Sequence, residues 1–490
     1  MASVLNLTFS PVSPLQTLQA KYSLYKGGSD IWVIETAQVE AYLRGGPQAP
    51  TILKRSAAEL LMRRELENLP VPSKPNEVIR QFYADPNTHM YEGMAFSPLP
   101  QPDSILNLWR PPTLTPKKGD WGAIRKHLFE VICSQNRKNY SYLLRFLAHM
   151  IQKPEEKPGV MIVLLGRQGT GKGAFFQMLG RIWRYSVLQV TDVERVTGRF
   201  NAALGQNYVV VMDEALFAGD RRAQDRIKSL VSEPTISIEE KHQPQRVIES
   251  FHRFFAASNH EHFVQVDNDD RRYFILQVSD KVAQNEIYFK RLFEAIGSDE
   301  AIASFIHTLA KIDLTGFNPR VAPKTQAHAE QKILSLSRFE KYWHHAMWTA
   351  ELPDFGTYTK PWEGDAFISS GKLAEAASKF DSNSSRFKPI THQEVAREIS
   401  RLCPSALPVR KSLSNFDGVP RGYELPSVQV ARHEFEAAKG FKVDWDVDLD
   451  DCQTLPVNAR ASGRLKPNND GRFQQFARLT RQIELNKEKE

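Results

Sequence analysis

Val160-Met-Ile-Val-Leu-Leu165-Gly166-Arg-Gln-Gly-Thr-Gly-Lys172-Gly173-Ala-Phe-Phe-Gln-Met-Leu-Gly180 holds an apolar run, a glycine-rich turn and an amphipathic stretch in immediate succession. The order predicts strand, loop and helix, the arrangement that cradles a nucleoside triphosphate. Gly166, Gly169 and Gly171 let backbone N–H groups approach phosphate oxygens with no Cβ in the way. The N-terminus of the helix adds partial positive charge. Lys172 is placed to reach the β- and γ-phosphates and is expected to lie exposed in the loop. Gly173 stands where Ser or Thr normally binds Mg2+, so the ion is expected to be held through water and acidic residues, or with help from Thr170.

A second apolar run, Tyr208-Val-Val-Val-Met-Asp213-Glu214, follows. An acid at the end of a buried strand, about 40 residues after a phosphate-binding loop, suits metal and water chemistry. Asp213 is the expected ligand of hydrated Mg2+, and Glu214 the group that orients or deprotonates the attacking water. Next, Thr235-Ile-Ser-Ile-Glu-Glu-Lys241-His242-Gln-Pro-Gln-Arg246-Val-Ile-Glu249 reads as a hairpin with cations at its tip. Phe251-His-Arg-Phe-Phe-Ala-Ala-Ser258-Asn259 is a further strand ending in a polar pair, and Asn259 can hydrogen-bond the γ-phosphate or its attacking water. Arg271 and Arg272 precede one more strand pattern. A guanidinium there can stabilise charge on a transferring phosphoryl group if a neighbouring subunit presents it.

Around this block, the 490 residues divide into six segments. Residues 1–115 read as an α+β accessory region. Within it Tyr22-Ser-Leu-Tyr and Ile31-Trp-Val-Ile are expected strands and Ser56-Ala-Ala-Glu-Leu-Leu-Met-Arg-Arg a capped helix. Arg110-Pro-Pro-Thr-Leu-Thr-Pro-Lys-Lys-Gly119 looks like a linker. Residues 116–155 carry helical spacing, as in Trp121, Ile124, Leu128 and Ile132, and are expected to pack on the core. Residues 156–285 alternate strand and helix patterns and form the layered α/β core. Residues 286–355 are helical, 356–455 are α+β with a helix at His392–Leu402, and 456–490 form a basic, poorly apolar tail.

Hydrophobic residues make up 41%, charged residues 25%, and the net charge is +7 with a pI near 9.1. That excess permits nucleic-acid binding without proving it. Cys133, Cys403 and Cys452 lie far apart with no metal-ligand spacing. Scattered thiols, a start lacking a basic segment, and no apolar run long enough to span a bilayer lead to the expectation of a cytoplasmic protein without a membrane partner.

The order of these motifs resembles the superfamily 3 helicases, AAA+-type ATPases of viruses, phages and mobile elements. Gly169-Thr-Gly-Lys-Gly173, Thr197-Gly-Arg-Phe-Asn201 and Asp270-Arg-Arg-Tyr-Phe274 are similar to the helicase part of phage and plasmid primase–helicases. The resemblance covers about 120–280 well and 280–450 in outline. It implies an α/β fold, with a P-loop ATPase core, a helical region before it and smaller α+β regions at either end. It also implies ATP and Mg2+ as cofactors, a homo-oligomeric ring, expected as a hexamer, and single-stranded or forked DNA as partner. Lys241 and His242 would track a nucleic-acid backbone from hairpin tips in a central channel. Arg271 or Arg272 would be the finger into the neighbouring subunit. No Asp-x-Asp pair precedes residue 120, so priming is expected on a separate primase or polymerase. Two other readings remain open: a regulatory or defence ATPase that binds nucleic acid without unwinding it, and an origin-binding initiator whose region 390–435 forms a winged helix.

Overall fold

The computed structural model describes residues 13–70, 73–214, 221–239, 245–260, 263–264, 270–353, 359–380, 388–412, 419–443 and 445. The chain separates into two compact units, the first built from residues 1–264 and 271–328 and the second from 265–270 and 329–490. Among the described residues no helix is long and apolar enough to cross a membrane.

The first unit begins with α1 (Pro14–Lys21), β1 (Tyr22–Gly27), β2 (Asp30–Glu35), α2 (Thr36–Leu43), β3 (Ile52–Leu53), α3 (Arg55–Glu67), α4 (Pro75–Ala84), β4 (Met90–Tyr91), β5 (Gly93–Ala95) and β6 (Ile105–Asn107). Both strands expected from the apolar runs form and pair antiparallel, Tyr22 opposite Glu35. Leu18, Leu24, Val33, Met62 and Phe82 close a small core beneath them. The α3 helix departs from expectation at its start. Its N-cap is Lys54 with no side-chain cap, and Ser56 lies inside the first turn.

The segment 110–119 is not a free linker. Arg110 is buried, with its guanidinium donating to the carbonyls of Gly46 (2.5 Å) and Tyr185 and stacking 4.0 Å over the Tyr42 ring. The helical region that follows is also interrupted. The α5 helix (Gly122–Lys126) passes into a π-helical stretch, His127–Ile132, before α6 (Arg137–Gln152). Ser134 and Gln135 take positive φ between them. Widened turns of this kind recur at functional sites because they re-aim a side chain, here His127.

The central layer comprises β7 (Met161–Leu165), α7 (Lys172–Ile182), β8 (Val187–Val190), α8 (Glu194–Thr197), β9 (Val209–Asp213), α9 (Arg221–Ser232), β10 (Thr235–Ile238), β11 (Arg246–Glu249), β12 (Arg253–Ser258) and β13 (Tyr273–Gln277), followed by α10 (Glu286–Gly297) and α11 (Asp299–Lys311). Five strands form one sheet in the order β13-β7-β12-β9-β8, all parallel. Strands buried on both faces read as continuous apolar runs, and β7 is buried at every position. The chain leaves β7 toward β8 on one side and later returns to β13 on the other. Strand β7 is therefore the topological switch point, and ligands of such sheets bind at the carboxyl ends there.

The chain passes into the second unit within α12 (Gln326–Leu334). It continues with α13 (Arg338–Thr349), β14 (Glu351–Pro353), β15 (Thr359–Pro361), β16 (Ala366–Ser369), α14 (Ser370–Phe380), α15 (His392–Leu402), β17 (Leu407–Arg410), β18 (Arg421–Leu425) and α16 (Val428–Lys439). Helix α15 has the bounds its periodicity predicts. Strands β16, β18 and β17 form an antiparallel sheet in that order. Trp343, Trp362, Leu373, Ile399 and Phe435 fill the core. Below it Glu340 takes hydrogen bonds from Lys439 (2.9 Å), Arg401 and the Ser337 N–H (2.7 Å). Burial pushes the Glu340 carboxyl up, but these three donors win and hold it down at about 2.

Candidate nucleotide site at the carboxyl ends of the parallel sheet

Three neighbouring strands, β7, β12 and β9, end side by side, and each carries a predicted site element at its carboxyl end. The glycine-rich loop follows β7, Ser258 and Asn259 close β12, and Asp213 and Glu214 close β9. Backbone hydrogen bonds stitch the three together. Gly166 N–H donates to Ser258 O (3.2 Å), and Glu214 N–H donates to Ala257 O (2.9 Å). The end of β12 is thus the bridge between loop and acids. Asn259 itself is exposed beside it.

Within the loop, Gly169 (φ +79°) and Gly171 (φ +103°) adopt left-handed backbone that side chains resist. Thr170 is buried, and its hydroxyl donates to Arg167 O (2.8 Å), so its proton is used inside the loop. Gly173 is the second residue of α7, and a Cβ there would meet nothing within 4 Å. Lys172 is not exposed as the sequence suggests. It opens α7 at 8% exposure, and its ammonium donates to Gly166 O (2.5 Å) and Arg167 O (2.9 Å). Burial lowers its pKa, with Glu214 and Asp213 pulling the other way. The reason for the difference is steric: the loop wraps back over the first helical turn, and its carbonyls reach the side chain. Lys172 therefore shapes the loop as well as charging it.

Glu214 has φ +54°, unusual for a residue with a Cβ. Such strain costs roughly 1–3 kcal/mol and collects at functional positions. It turns the acid sharply off the end of β9. Asp213 is half-buried, and its carboxylate accepts from the Gln189 amide of β8 (2.9 Å). Among the described residues no three of His, Cys, Asp and Glu gather as a metal-binding group. These two adjacent acids are the oxygen ligands on offer, and with a triphosphate's own oxygens they suit a hard cation that keeps much of its water.

Sequence reading missed His127. The π-helical turn aims it at the loop, where its Nε2 lies 3.1 Å from Gly171 O and its Nδ1 3.0 Å from the Tyr288 hydroxyl. A carbonyl can only accept, so Nε2 carries the proton and Nδ1 accepts from Tyr288. Burial drops its pKa to about 4, against the Gly171 hydrogen bond, and the ring is neutral at ordinary pH. A Cβ on Gly171 would stand 2.5 Å from His127 Cε1. The only sequence sign of this packing is the apolar helical pattern around the histidine.

The arginines do not join this site within one chain. Arg271 is exposed, and Arg272 donates through Nε to Ser232 Oγ (2.8 Å). Both precede β13, which runs parallel to β7 with Tyr273 opposite Met161 and Gln277 opposite Leu165. They therefore lie at the amino end of the sheet, about five residues or roughly 16 Å from the loop edge. The hairpin forms as predicted, with Thr235 opposite Glu249. Its tip, including Lys241 and His242, lies outside the described residues. The end of β10 nearest the tip is held by Asn201. This buried side chain donates to Ser237 O (2.9 Å) and accepts from Glu239 N (3.0 Å). Arg199 pairs with Glu239 (2.7 Å) next to it.

Comparisons with known proteins find a family model, a phage relative and structures of similar fold. Residues 164–272 match a family model described as a family of unknown function, DUF5906. The chain is 24% identical over 245 residues to the DNA primase-polymerase of Nitratiruptor phage NrS-1. That match takes in 48% of this chain and 34% of the phage protein, so the chain spans about a third of the length of that relative. Two apo structures of the NrS-1 C-terminal region resemble it in fold. One, of residues 305–718, has a TM-score of 0.57 at 16% identity and covers 85% of this chain and 99% of that one. The other has a TM-score of 0.58 at 16% identity and covers 85% and 100%. The chain is a mixed α/β protein with a parallel sheet, related to a phage replication enzyme and shaped like that enzyme's C-terminal region.

Proposed function

We propose that this chain is an ATP-driven DNA helicase or translocase of phage or mobile-element replication, with a P-loop AAA+-type core of superfamily 3 character. We take it to work as a homo-oligomeric ring, expected as a hexamer, with ATP and Mg2+ as cofactors. The observation that carries the reading is the convergence of loop, polar pair and acid pair at the ends of β7, β12 and β9. The residues present fit the ligand: one buried cation, backbone donors freed by left-handed glycines, and two acids across one intervening strand end.

Bound ATP and Mg2+ would supply the phosphoanhydride bond whose cleavage drives movement. Lys172 would transfer its hydrogen bonds from loop carbonyls to phosphate oxygens. Asp213, oriented by Gln189, would hold the hydrated ion. Glu214 would take a proton from the attacking water, and Asn259 would orient that water or the γ-phosphate. Arg271 or Arg272, remote from the loop of its own chain, would complete the site of a neighbour. Lys241 and His242 would grip the DNA backbone.

The test is Glu214→Gln with ATPase and fork strand-displacement assays run together. The variant is expected to bind nucleotide and lose turnover by at least about a hundredfold, the usual contribution of a general base. Wild-type hydrolysis by this variant would remove Glu214 from the mechanism. Hydrolysis by the wild-type chain with no strand displacement would favour an ATPase that does not unwind.

A further inference from the structure

The amino ends of the parallel sheet hold a polar cluster to which the proposed chemistry gives no role. Strands β13, β7 and β12 are neighbours there, and Arg272, Lys157 and Ser250 precede them in turn. The cluster begins with a proline. Helix α9 ends at Ser232, and the carbonyl of Leu230 would ordinarily accept from the N–H of residue 234. Residue 234 is Pro, which has none. Lys157 takes its place. The ammonium donates to Leu230 O (2.7 Å), to Glu233 O and to Ser250 Oγ (2.6 Å). A cation at the carboxyl end of a helix also suits the helix dipole.

Three donors meet three acceptors, so the ammonium of Lys157 is fully used. Ser250 and His252, both buried, continue the chain of bonds. The Ser250 hydroxyl donates to His252 Nδ1 (3.1 Å), and His252 Nε2 donates to Leu204 O (2.7 Å). A carbonyl can only accept, which fixes the histidine tautomer and the direction of every bond. Desolvation, with Arg253 alongside, pushes the Lys157 pKa down to about 7, and Glu233 opposes the shift. An apolar side chain could fill this space, but it could not close the three acceptors.

Two elements of the proposed mechanism are attached to the segment that Lys157 holds. Ser232 stands between Leu230 and Glu233, and its hydroxyl accepts from Arg272 Nε (2.8 Å). The β10–β11 hairpin opens at Thr235 and ends at Glu249. Across its base the Ser250 N–H donates to Pro234 O (2.8 Å). Lys157 itself lies just ahead of β7, whose far end carries the glycine-rich loop. The five residues of β7 put roughly 16 Å between them, so Lys157 does not reach a nucleotide held by its own chain.

We propose that Lys157 is a positioning residue. By clasping the carboxyl end of α9 to the chain that enters β7, it sets where Arg272 and the base of the hairpin stand. The inference rests on the reading in which Arg272 completes a neighbour's site. Loss of the clasp then slows turnover while nucleotide capture by the loop is kept.

The test uses the full chain with ATP, Mg2+ and forked DNA. Lys157→Met is expected to hold affinity for a fluorescent ATP analogue within about twofold. Its kcat should fall about a hundredfold, the cost of displacing a reacting group by about 1 Å. Combined with Arg272→Ala, it should add less than about a twofold further loss, because both changes act through one guanidinium. Ser232→Ala cuts only the bond between α9 and Arg272. It should lower kcat about tenfold, and it decides the matter if Lys157→Met fails to fold. Hydrogen exchange at the Ser250 N–H reads the clasp without any hydrolysis, and should quicken at least about tenfold in Lys157→Met. Wild-type kcat in both single variants would overturn the proposal. So would unchanged exchange at Ser250, equal losses of affinity and turnover, or losses that multiply in the double variant. Slow turnover in Arg272→Ala beside wild-type turnover in Lys157→Met and Ser232→Ala would sink this inference alone. Wild-type turnover in Arg272→Ala would sink the role of Arg272 at a neighbour's site, and this inference with it.

Discussion

Gly171 and Gly173 stand two residues apart in the same loop-to-helix turn, yet their surroundings predict opposite responses to alanine. Gly171 has φ +103°, and an added Cβ would lie 2.5 Å from His127 Cε1, 3.1 Å from His127 Nε2 and 3.1 Å from Phe289 Cε1. The backbone strain costs about 1–3 kcal/mol. The overpacking costs about 1–3 kcal/mol more, because His127 is held at both ring nitrogens and cannot step aside cheaply. The sum is roughly 2–6 kcal/mol, equivalent to a melting shift of about 3–9 °C for a unit of this size. Gly173 has helical backbone and open space, so Gly173→Ala should be neutral or stabilising by up to about 1 kcal/mol. Differential scanning fluorimetry compares the two variants directly. Titration of a fluorescent ATP analogue then asks whether Gly171→Ala alone loses nucleotide affinity, by an expected factor of ten or more if the loop is displaced by about 1 Å. Equal melting and equal affinity in the two variants would refute the packing of His127 on the loop.

Three further outcomes are expected. Mixing Arg272→Ala with Lys172→Ala subunits should restore part of the ATPase activity, since one intact composite site can form; a parallel mixture with Arg271→Ala identifies the finger, and no recovery with either would exclude sites shared between subunits. The double variant Lys241→Ala/His242→Ala should keep basal ATPase and lose DNA stimulation and unwinding together; unwinding at the wild-type rate would remove the hairpin from translocation. Stability should fall as pH drops from about 6.5 toward 4. His127 and His252 are both pushed down to about 4 by burial, so the native state resists protons that the unfolded chain takes up. Each contributes roughly 3 kcal/mol that is present above pH 6.5 and lost as pH falls through 4; a flat melting profile across that window would contradict the neutral histidines.

Much of the candidate site was legible because its signals are local. An apolar run followed by glycines, and another ending in Asp213-Glu214, declare their strands and their strand ends without reference to anything distant. The hairpin and α15 were equally readable, since period-two and period-3.6 patterns are complete within each segment. What was hidden depends on contacts between remote segments. The placement of β12 between β7 and β9 is decided by which buried faces fit, and it is what puts Asn259 between loop and acids. The burial of Lys172 required knowing that the loop folds back over the helix. His127 could not be singled out, because its role follows from a π-helical turn meeting α10 161 residues later in the chain. Arg110 misled for the reverse reason. Its prolines and polar neighbours look like a linker, and only the carbonyls of Gly46 and Tyr185 reveal it as an anchor.

That anchor bears on modularity. Around Arg110 the N-terminal region meets the central layer through several unlike contacts. Phe96 stacks on His252 with ring centres 5.6 Å apart and Trp109 meets Tyr208 edge-on, while within the N-terminal region Tyr42 donates its hydroxyl to Leu108 O at 2.6 Å. Tyr208 and His252 flank the amino ends of β9 and β12, the two strands that present the acids and the polar pair. A truncation starting near residue 116 would therefore leave those strand ends without their cover and expose aromatic surface to water. Recombination that exchanged the first hundred residues for a foreign module would carry the same penalty. The segment from Phe96 to Arg110 thus folds with the sheet it covers.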